Sequence, residues 1–195
     1  IYEKWALSAL REVWPNEFVT ASHEVLSEIR EFERSSTAAL NTYLQPVVAS
    51  YLGKLDTALA TQKFPGLLHI VQSNGGIMST ATARKFPVRT ALSGPAAGVV
   101  AGMALAKASG FENLITCDLG GTSFDVSVIA GGKTSIAAQT TIDFGLVIRT
   151  PMIEITTIGA GGGSIAWVDR GGLLQVGPDR KSTRLNSSHG YISYA

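Results

Sequence analysis

The most constraining feature of the sequence is a segment in which two hydrophobic runs flank a pair of glycines. It extends from Ile115 to Val128 and reads Ile-Thr-Cys-Asp-Leu-Gly-Gly-Thr-Ser-Phe-Asp-Val-Ser-Val. Adjacent glycines allow a tight turn whose backbone N–H groups face an anion without obstruction from a Cβ atom. The pattern therefore predicts strand, turn and strand, with phosphate bound at the turn by Gly120, Gly121, Thr122 and Ser123.

Two aspartates flank the glycine turn. Asp118 lies at the exit of the first predicted strand, and Asp125 lies early in the second. Mg²⁺ keeps several of its waters and is usually held in proteins through one or two carboxylates. We therefore predict that these side chains hold a hydrated Mg²⁺ that bridges phosphate oxygens. An ordinary Asp-Gly-Gly turn in a hairpin is the alternative.

The surrounding sequence separates this segment from two common nucleotide-binding motifs. No Gly-Lys-Ser/Thr follows the glycines, as a P-loop requires, and a strand rather than the helix of a dinucleotide-binding fingerprint comes next. Upstream, small residues dominate a predicted helix from Ser93 to Lys107, with Pro95 in its first turn. A helix, a short loop and a phosphate-binding strand in this order resemble the superfamily of actin, sugar kinases and heat-shock chaperone ATPases.

Further segments resemble the hydantoinase A/5-oxoprolinase family, which includes ATP-dependent N-methylhydantoinases, 5-oxoprolinases and a subunit of acetone carboxylase. They occur in the family's order across nearly all of residues 1–180: residues 22–26, 28–34, 72–78, 93–98, 118–126 and 157–165. The resemblance implies an α/β fold, an incomplete ribonuclease-H-like domain of the actin, sugar kinase and heat-shock ATPase type. Family members carry an earlier Asp-x-Gly-Gly-Thr motif that residues before 117 do not supply, so we expect residues 1–180 to be a domain fragment.

The resemblance also implies a reaction, although it assigns no catalytic residue. ATP would phosphorylate the ring amide oxygen of a hydantoin or 5-oxoproline so that water can open the ring, with ATP and Mg²⁺ as cofactors. The implied partners are a small cyclic amide and a second large subunit or C-terminal domain of the hydantoinase B type. The fragment itself is expected to be inactive. Two alternatives remain open: an acetone carboxylase-like subunit, and a noncatalytic actin-like nucleotide-binding module.

Two other turns are candidates for ligand contact. In residues 159–164, we predict that Gly161, Gly162 and Gly163 bind phosphate opposite the first glycine turn or hold a substrate oxyanion; a flexible linker is the alternative. A second turn follows a predicted strand, where ligands often bind in α/β sheets. It consists of Ser73, Asn74, Gly75 and Gly76. Contact with substrate or nucleotide and a plain left-handed turn are equally compatible with this sequence.

Composition argues against two classes of function. The 195 residues carry a net charge of +1 without a basic stripe, which argues against nucleic-acid binding, and no stretch reaches the roughly 20 apolar residues of a membrane span. The single cysteine, Cys117, cannot form an internal disulfide, which indicates a cytoplasmic location, and we predict that it fills the core. Residues 181–195 shift abruptly to Ser, Asn and Arg, which predicts a non-native, adapter-like or vector-like tail.

The remaining elements follow from hydrophobic periodicity. A long helix is predicted from Ser35 or Ser36 to about Thr61, with Pro46 kinking or dividing it, and a buried strand from Leu67 to Gln72. His69 in that strand is predicted to be a core residue rather than a catalyst. Other charged residues are interpreted as mainly solvated surface without an assigned function: His23, residues 28–34, Arg84, Lys85 and Arg89.

Overall fold

The computed structural model describes residues 2–142 and 145–178. The helices in this part of the chain are α1 (Tyr2–Val13), α2 (Ser22–Val25), α3 (Glu31–Thr61), α4 (Thr80–Lys85) and α5 (Ser93–Ala108), with a 3₁₀ helix at Pro87–Thr90. The strands are β1 (His69–Val71), β2 (Ile77–Ser79), β3 (Leu114–Leu119), β4 (Phe124–Ala130), β5 (Lys133–Thr134), β6 (Ile136–Ala137), β7 (Thr140–Thr141), β8 (Val147–Ile148), β9 (Met152–Ile153), β10 (Thr156–Ile158), β11 (Ser164–Val168) and β12 (Leu174–Pro178).

The chain divides into two compact units. The first comprises Ile1–Ala101 with Ser135–Glu154, and the second comprises Gly102–Thr134 with Ile155–Ala195. The predicted tail, residues 181–195, lies outside the described residues, and the predicted domain of residues 1–180 stays a prediction. None of the helices in the described part of the chain is long and apolar enough to cross a membrane.

The long helix α3 organises the first unit. It begins at Glu31, four or five residues before the predicted start, and its first turn contains two glutamates that favour the positive end of the helix dipole. Pro46 lies inside this one helix, so of the two predicted effects division of the helix is wrong, and a kink stays a prediction. Buried side chains on both sides of Pro46, including Asn41 and Leu52, hold the two halves in place, and this packing outweighs the local cost of a missing N–H group.

Buried polar side chains connect α3 to its neighbours. Asn41 is fully buried; its Nδ2 donates to Oγ1 of Thr20 and to the carbonyl of Lys85, each at 3.0 Å, and its Oδ1 accepts from the N–H of Val88 at 3.3 Å. Gln45, one turn further along, also donates to the carbonyl of Lys85 at 3.0 Å. The end of α4 and the 3₁₀ helix are therefore bound to α3 through side-chain hydrogen bonds as well as apolar contacts.

A charged cluster connects α1 to α2 and to the first turn of α3. Oγ of Ser22 donates to Oε1 of Glu3 at 2.6 Å, the N–H of His23 donates to the same oxygen at 3.1 Å, and Nη2 of Arg34 donates to Oε2 at 2.9 Å. The Ser22 hydrogen bond is the largest cause, and the His23 and Arg34 contacts add to it. Against the opposing effect of burial, they lower the pKa of Glu3 from 4.5 to about 2.

Acidification is expected to remove the stabilisation that this cluster provides. Because the pKa of Glu3 is lower in the folded state, its contribution is fully present above pH 4.5 and is lost as the pH falls towards about 2. Glu3→Gln should therefore flatten the plot of unfolding free energy against pH over this range, as measured by urea unfolding. Glu12→Gln is the control, because Glu12 is an exposed residue of the same helix. Equal flattening in both variants would contradict the assignment to Glu3.

Strands β1 and β2 form an antiparallel hairpin on the other side of the first unit. Their apolar face contributes Met78 to a core with Leu52 and Ala83. The strand is shorter than predicted, because Leu67 is 85% exposed and lies outside it. His69 is exposed rather than a core residue as predicted, because among the described residues β1 belongs to a two-stranded sheet with β2 that leaves this side chain uncovered. A second core cluster unites Val88, Ile148 and Met152.

The second unit is built on the predicted strand–turn–strand. Strand β4 pairs antiparallel with β3 on one side and β10 on the other, and β5 extends the hairpin at the far end of β4. Helix α5 has the predicted start and ends one residue later than predicted. A Cβ atom on Gly102 would lie 2.7 Å from Cγ2 of Thr116, so glycine lets this helix approach strand β3 closely.

The two faces of this sheet differ in chemistry. Residues directly opposite each other in the ladder share a face, which places Thr116, Asp118, Asp125 and Ser127 together. The other face carries Ile115, Cys117 and Leu119 opposite Val128, Val126 and Phe124. Within the described residues this apolar face is largely uncovered, and Ile115 and Leu119 are each 64% exposed. The prediction that Cys117 fills the core is wrong: it is exposed, because β3 is covered only on the face with Thr116.

Candidate phosphate-binding site

The turn between β3 and β4 is closed by a hydrogen bond from the N–H of Gly120 to the carbonyl of Ser123, 3.0 Å long. The N–H groups of Gly121, Thr122 and Ser123 form no hydrogen bond with any described residue. Gly121 and Thr122 are exposed residues at the end of the hairpin. Consecutive unpaired N–H groups beside two hydroxyls have the composition of an anion-binding turn.

Asp118 and Asp125 lie directly opposite each other at the end of the β3–β4 ladder. They share the polar face of the sheet, and Oγ of Ser123 donates to Oδ2 of Asp125 at 3.4 Å. Like charges at directly opposed positions repel each other. A cation bound by both carboxylates would relieve that repulsion.

Thr157 of β10 contacts Asp125, although the sequence analysis gave Thr157 no role. It lies opposite Asp125 in the β4–β10 ladder, and its Oγ1 donates to Oδ1 of Asp125 at 2.6 Å. This hydrogen bond fixes one carboxylate oxygen of Asp125. Asp118 has no equivalent contact in the described part of the chain. Thr157 therefore orients Asp125, the aspartate on strand β4 between β10 and β3.

The second glycine segment packs directly on the first. The N–H of Gly162 donates to the carbonyl of Gly120 at 2.9 Å, and the N–H of Gly163 donates to the carbonyl of Gly121 at 2.8 Å. The N–H of Gly161 donates to Oγ of Ser164 at 3.0 Å. All three N–H groups are thus engaged within the loops, and this geometry favours a role in holding the turn rather than in donating to phosphate.

Close packing makes glycine necessary at two of these positions. A Cβ atom on Gly161 would lie 2.6 Å from the carbonyl oxygen of Gly120, and one on Gly163 would lie 2.9 Å from that of Gly121. Distances below 3.0 Å are essentially absent for real Cβ atoms. At Gly162 the nearest atom would be 3.7 Å away, an ordinary contact. Residues 161–163 therefore pack closely against the turn at residues 120–121, which argues against the flexible-linker alternative.

Comparison with known proteins identifies the family. The hydantoinase/oxoprolinase family matches residues 34–195, more than half of the chain. The chain belongs to the hydantoinase/oxoprolinase family. It is 40% identical over 178 residues to caprolactamase subunit alpha of Pseudomonas jessenii, a match that spans 91% of the chain and 25% of the relative. It is 34% identical over 165 residues to 5-oxoprolinase of Saccharomyces cerevisiae, spanning 83% of the chain and 12% of the relative.

Solved structures of relatives give the same assignment. The crystal structure of the ATP-dependent caprolactamase from Pseudomonas jessenii matches 91% of the chain with a TM-score of 0.76 at 40% identity, over 26% of its own length. The nucleotide-free structure of acetone carboxylase, from work on ATP-dependent acetone carboxylation, matches 91% of the chain with a TM-score of 0.71 at 26% identity, over 25% of its length. The chain thus has the mixed helix and strand fold of these enzymes, and it spans about a quarter of their length.

The metal prediction for this hydantoinase/oxoprolinase chain can be tested against its side chains. Among the described residues, no group of three or more His, Cys, Asp or Glu side chains is arranged to hold a metal ion. Asp118 and Asp125 alone would leave most positions around a cation to water and phosphate oxygens. Mg²⁺ accepts this arrangement, whereas a structural zinc site requires four protein ligands. The residues present therefore fit a hydrated Mg²⁺.

The turn at residues 73–76 belongs to the first unit, and its own contacts explain its sequence. Ser73 is 2% exposed; its N–H donates to the carbonyl of Arg89 at 2.8 Å, and its Oγ lies within hydrogen-bonding distance of the carbonyls of Arg89 and Ala91. Oδ1 of Asn74 accepts from the N–H of Gly76 at 2.9 Å, and Gly75 has a φ of +82°. These contacts support the plain-turn alternative for Ser73, Gly75 and Gly76, while ligand contact by the turn stays a prediction.

Proposed function

We propose that the chain is the phosphate-binding part of an ATP-dependent enzyme that opens a small cyclic amide, such as a hydantoin, 5-oxoproline or a lactam. The family supports this proposal, because its named relatives include a caprolactamase and a 5-oxoprolinase. The single observation on which it most depends is the turn at residues 120–123, with unpaired N–H groups beside two opposed aspartates. An actin-like ATPase fold and a cytoplasmic location belong to the same proposal.

Each residue of the turn has a specific role in this proposal. The N–H groups of Gly121, Thr122 and Ser123, with the two hydroxyls, bind phosphate oxygens. Asp118 and Asp125 hold Mg²⁺ or its waters, and Thr157 keeps Asp125 oriented through its 2.6 Å hydrogen bond. Gly161, Gly162 and Gly163 position the turn from the other side. Such fixed donors stabilise a transferring phosphoryl group without rearranging during the reaction.

The chemistry suits a substrate that resists direct hydrolysis. ATP, when bound, would supply its terminal phosphoryl group to the amide oxygen and leave as ADP. One water would then add to the amide carbon, and the ring C–N bond would break as the nitrogen takes up a proton, which leaves an acyl phosphate. A second water would cleave that acyl phosphate into phosphate and the ring-opened acid. The role of the chain is to bind and orient the phosphates, and this role requires no nucleophilic side chain at residues 118–125.

A carboxylase subunit is the second candidate. The acetone carboxylase structure matches 91% of the chain with a TM-score of 0.71, close to the value for caprolactamase. The same phosphate-binding turn would serve either reaction, because both use ATP to activate an oxygen-bearing group. Several relatives are named as subunits, which supports a second large subunit as partner in both cases.

Nucleotide binding by this chain tests the role of the turn. We expect Mg²⁺-dependent binding of a fluorescent ATP analogue, weakened about tenfold by Asp118→Asn, since the loss of one charged ligand costs about 1.4 kcal/mol or more. Without nucleotide or Mg²⁺, the same variant should unfold at an equal or higher temperature, because it removes a like-charge pair. Glu112→Gln is the matched control, a charge removal at an exposed position of the same unit. Nucleotide affinity unaffected by Asp118→Asn would refute the assignment.

Turnover separates the candidate reactions. In the complete enzyme that contains this chain, we expect phosphate release from ATP to increase with one class of cyclic amide and to be lost in Asp118→Asn. Stimulation by a ketone and bicarbonate instead would favour the carboxylase. Nucleotide binding without stimulation by either class would point to a noncatalytic nucleotide-binding module.

A further inference from the structure

Two carbonyl groups of the turn between β3 and β4 face the same side. The carbonyl of Gly120 accepts from the N–H of Gly162 at 2.9 Å, and the carbonyl of Gly121 accepts from the N–H of Gly163 at 2.8 Å. Neighbouring donors of one segment thus bind neighbouring acceptors of the other. Both carbonyls are therefore directed towards residues 161–163.

The geometry of the peptide bond converts this arrangement into a direction for the unpaired N–H groups. A trans peptide is planar, so its C=O and its N–H point in opposite directions, and none of the described peptide bonds is cis. The N–H of Gly121 shares a peptide with the carbonyl of Gly120, and the N–H of Thr122 shares one with the carbonyl of Gly121. Both N–H groups therefore point away from residues 161–163, towards the same side of the turn.

A second glycine pair in the same unit shows that glycine turns do not generally have this arrangement. Gly131 and Gly132 connect β4 to β5. The N–H of Gly131 donates to Oδ1 of Asn113 at 2.9 Å, and the N–H of Gly132 donates to the carbonyl of Glu112 at 2.7 Å. Both N–H groups of that turn are thus used within the protein. In the turn between β3 and β4 the carbonyls are bonded instead, and the N–H groups remain for a ligand.

One side chain shapes the segment that holds the two carbonyls. Ser164 is the first residue of β11. Its Oγ accepts from the N–H of Gly161 at 3.0 Å, and its own N–H donates to the carbonyl of Gly161 at 2.9 Å. These two hydrogen bonds connect the ends of residues 161–164. They hold in place the N–H groups of Gly162 and Gly163, which lie between those ends.

We propose that Ser164 is a positioning residue for phosphate binding. Its hydroxyl holds residues 161–163, these residues hold the carbonyls of Gly120 and Gly121, and the two peptides direct their N–H groups to phosphate on the opposite side of the turn. The same hydrogen bonds strengthen the donors, because hydrogen bonds in a chain polarise one another. Ser164 acts through the turn and does not contact phosphate. The inference rests on the proposed function, since it takes phosphate as the ligand of the turn.

Ser164→Ala tests the proposal by removing the hydroxyl. We expect the affinity of this chain for a fluorescent ATP analogue in the presence of Mg²⁺ to fall about fivefold, the effect of one lost hydrogen bond. Ser164→Thr keeps the hydroxyl and should restore most of the lost affinity. Ser109→Ala is the control, because Ser109 is an exposed serine of the same unit. Urea unfolding verifies that each variant is folded under the conditions of the titration.

The NMR signals of the Gly121 and Thr122 amides provide a readout that a purely structural role would not change. In the nucleotide-free chain, Ser164→Ala should shift both signals, and Ser109→Ala should shift neither. If Ser164 served only the β11–β12 hairpin, its loss would lower the unfolding temperature without shifting these signals. Unshifted signals, an unchanged affinity in Ser164→Ala, or an equal loss of affinity in Ser164→Thr would overturn the proposal.

A failure of the proposed function would give a different result. If the unaltered chain did not bind the ATP analogue, the phosphate-binding role of the turn would be refuted. The amide signals of the nucleotide-free chain would still decide whether Ser164 positions the turn. If Asp118→Asn weakened binding and Ser164→Ala did not, the role of the turn would stand and that of Ser164 would be refuted.

Discussion

Gly161→Ala is expected to separate the two glycine segments and to weaken binding of an ATP analogue about tenfold or more. A Cβ atom at this position would lie 2.6 Å from the carbonyl oxygen of Gly120 and 2.7 Å from the carbonyl carbon of Gly121. Both atoms belong to backbone, which cannot move aside as a flexible side chain does. Overpacking of this kind costs about 1–3 kcal/mol, and here it also displaces the turn with the free N–H groups.

The neighbouring glycine provides the matched control. Gly162→Ala introduces the same methyl group at a position where the nearest atom is 3.7 Å away, and Gly159→Ala meets nothing within 4 Å. Both controls should change the unfolding free energy by less than about 0.5 kcal/mol and leave nucleotide affinity intact. Urea unfolding and nucleotide titration of the three variants provide the comparison. If Gly161→Ala and Gly162→Ala behave alike, the packing of residues 161–163 on the turn is not what holds it.

Asn41→Leu is expected to lower the unfolding free energy by about 2–4 kcal/mol, the largest effect in the first unit. Leucine has the same heavy-atom branching but is larger, so the change removes hydrogen bonds without leaving a cavity and adds some overpacking. It leaves the buried N–H of Val88 without its 3.3 Å acceptor and removes donors from Thr20 and from the carbonyl of Lys85. Gln45 still donates to that carbonyl, which limits the loss.

A substitution at an exposed position of the same helix is the control for effects on the helix itself. Ser50→Ala lies on the solvent face of α3 and should change stability by no more than about 0.5 kcal/mol. The two variants are compared by thermal and urea unfolding. A loss below about 1 kcal/mol in Asn41→Leu would mean that apolar packing and the remaining Gln45 hydrogen bond are sufficient to hold α4 and the 3₁₀ helix against α3.

Local sequence was sufficient to predict the turn at residues 120–123. The glycine pair and the alternation of the flanking strands are short-range features, and both strands and their turn lie where the pattern places them. The contact from Thr157 could not be predicted in this way. It depends on the pairing of β10 with β4, which joins residues 32 positions apart in the chain. Nothing in the composition of either strand specifies that register.

The prediction for Cys117 failed because the two faces of β3 are packed differently. The hydrophobic run predicted a core position for this side chain, but within the described residues only the face with Thr116 is covered. For Gly161, Gly162 and Gly163, the sequence suggested binding of phosphate opposite Gly120 and Gly121 or of a substrate oxyanion, and this stays a prediction. It could not indicate that the N–H groups of Gly162 and Gly163 donate to backbone carbonyls and that of Gly161 to Oγ of Ser164, because donor use depends on tertiary contacts.

The exposure of Cys117 also gives the protein a natural labelling site. It is the single cysteine of the sequence, and its side chain lies on the opposite face of β3 from that of Asp118, the next residue. A maleimide dye or spin label would therefore attach at one defined position without any engineered substitution. Such a probe would stand one residue from the proposed metal ligand yet outside its face of the sheet, where it can report on ligand binding without blocking it.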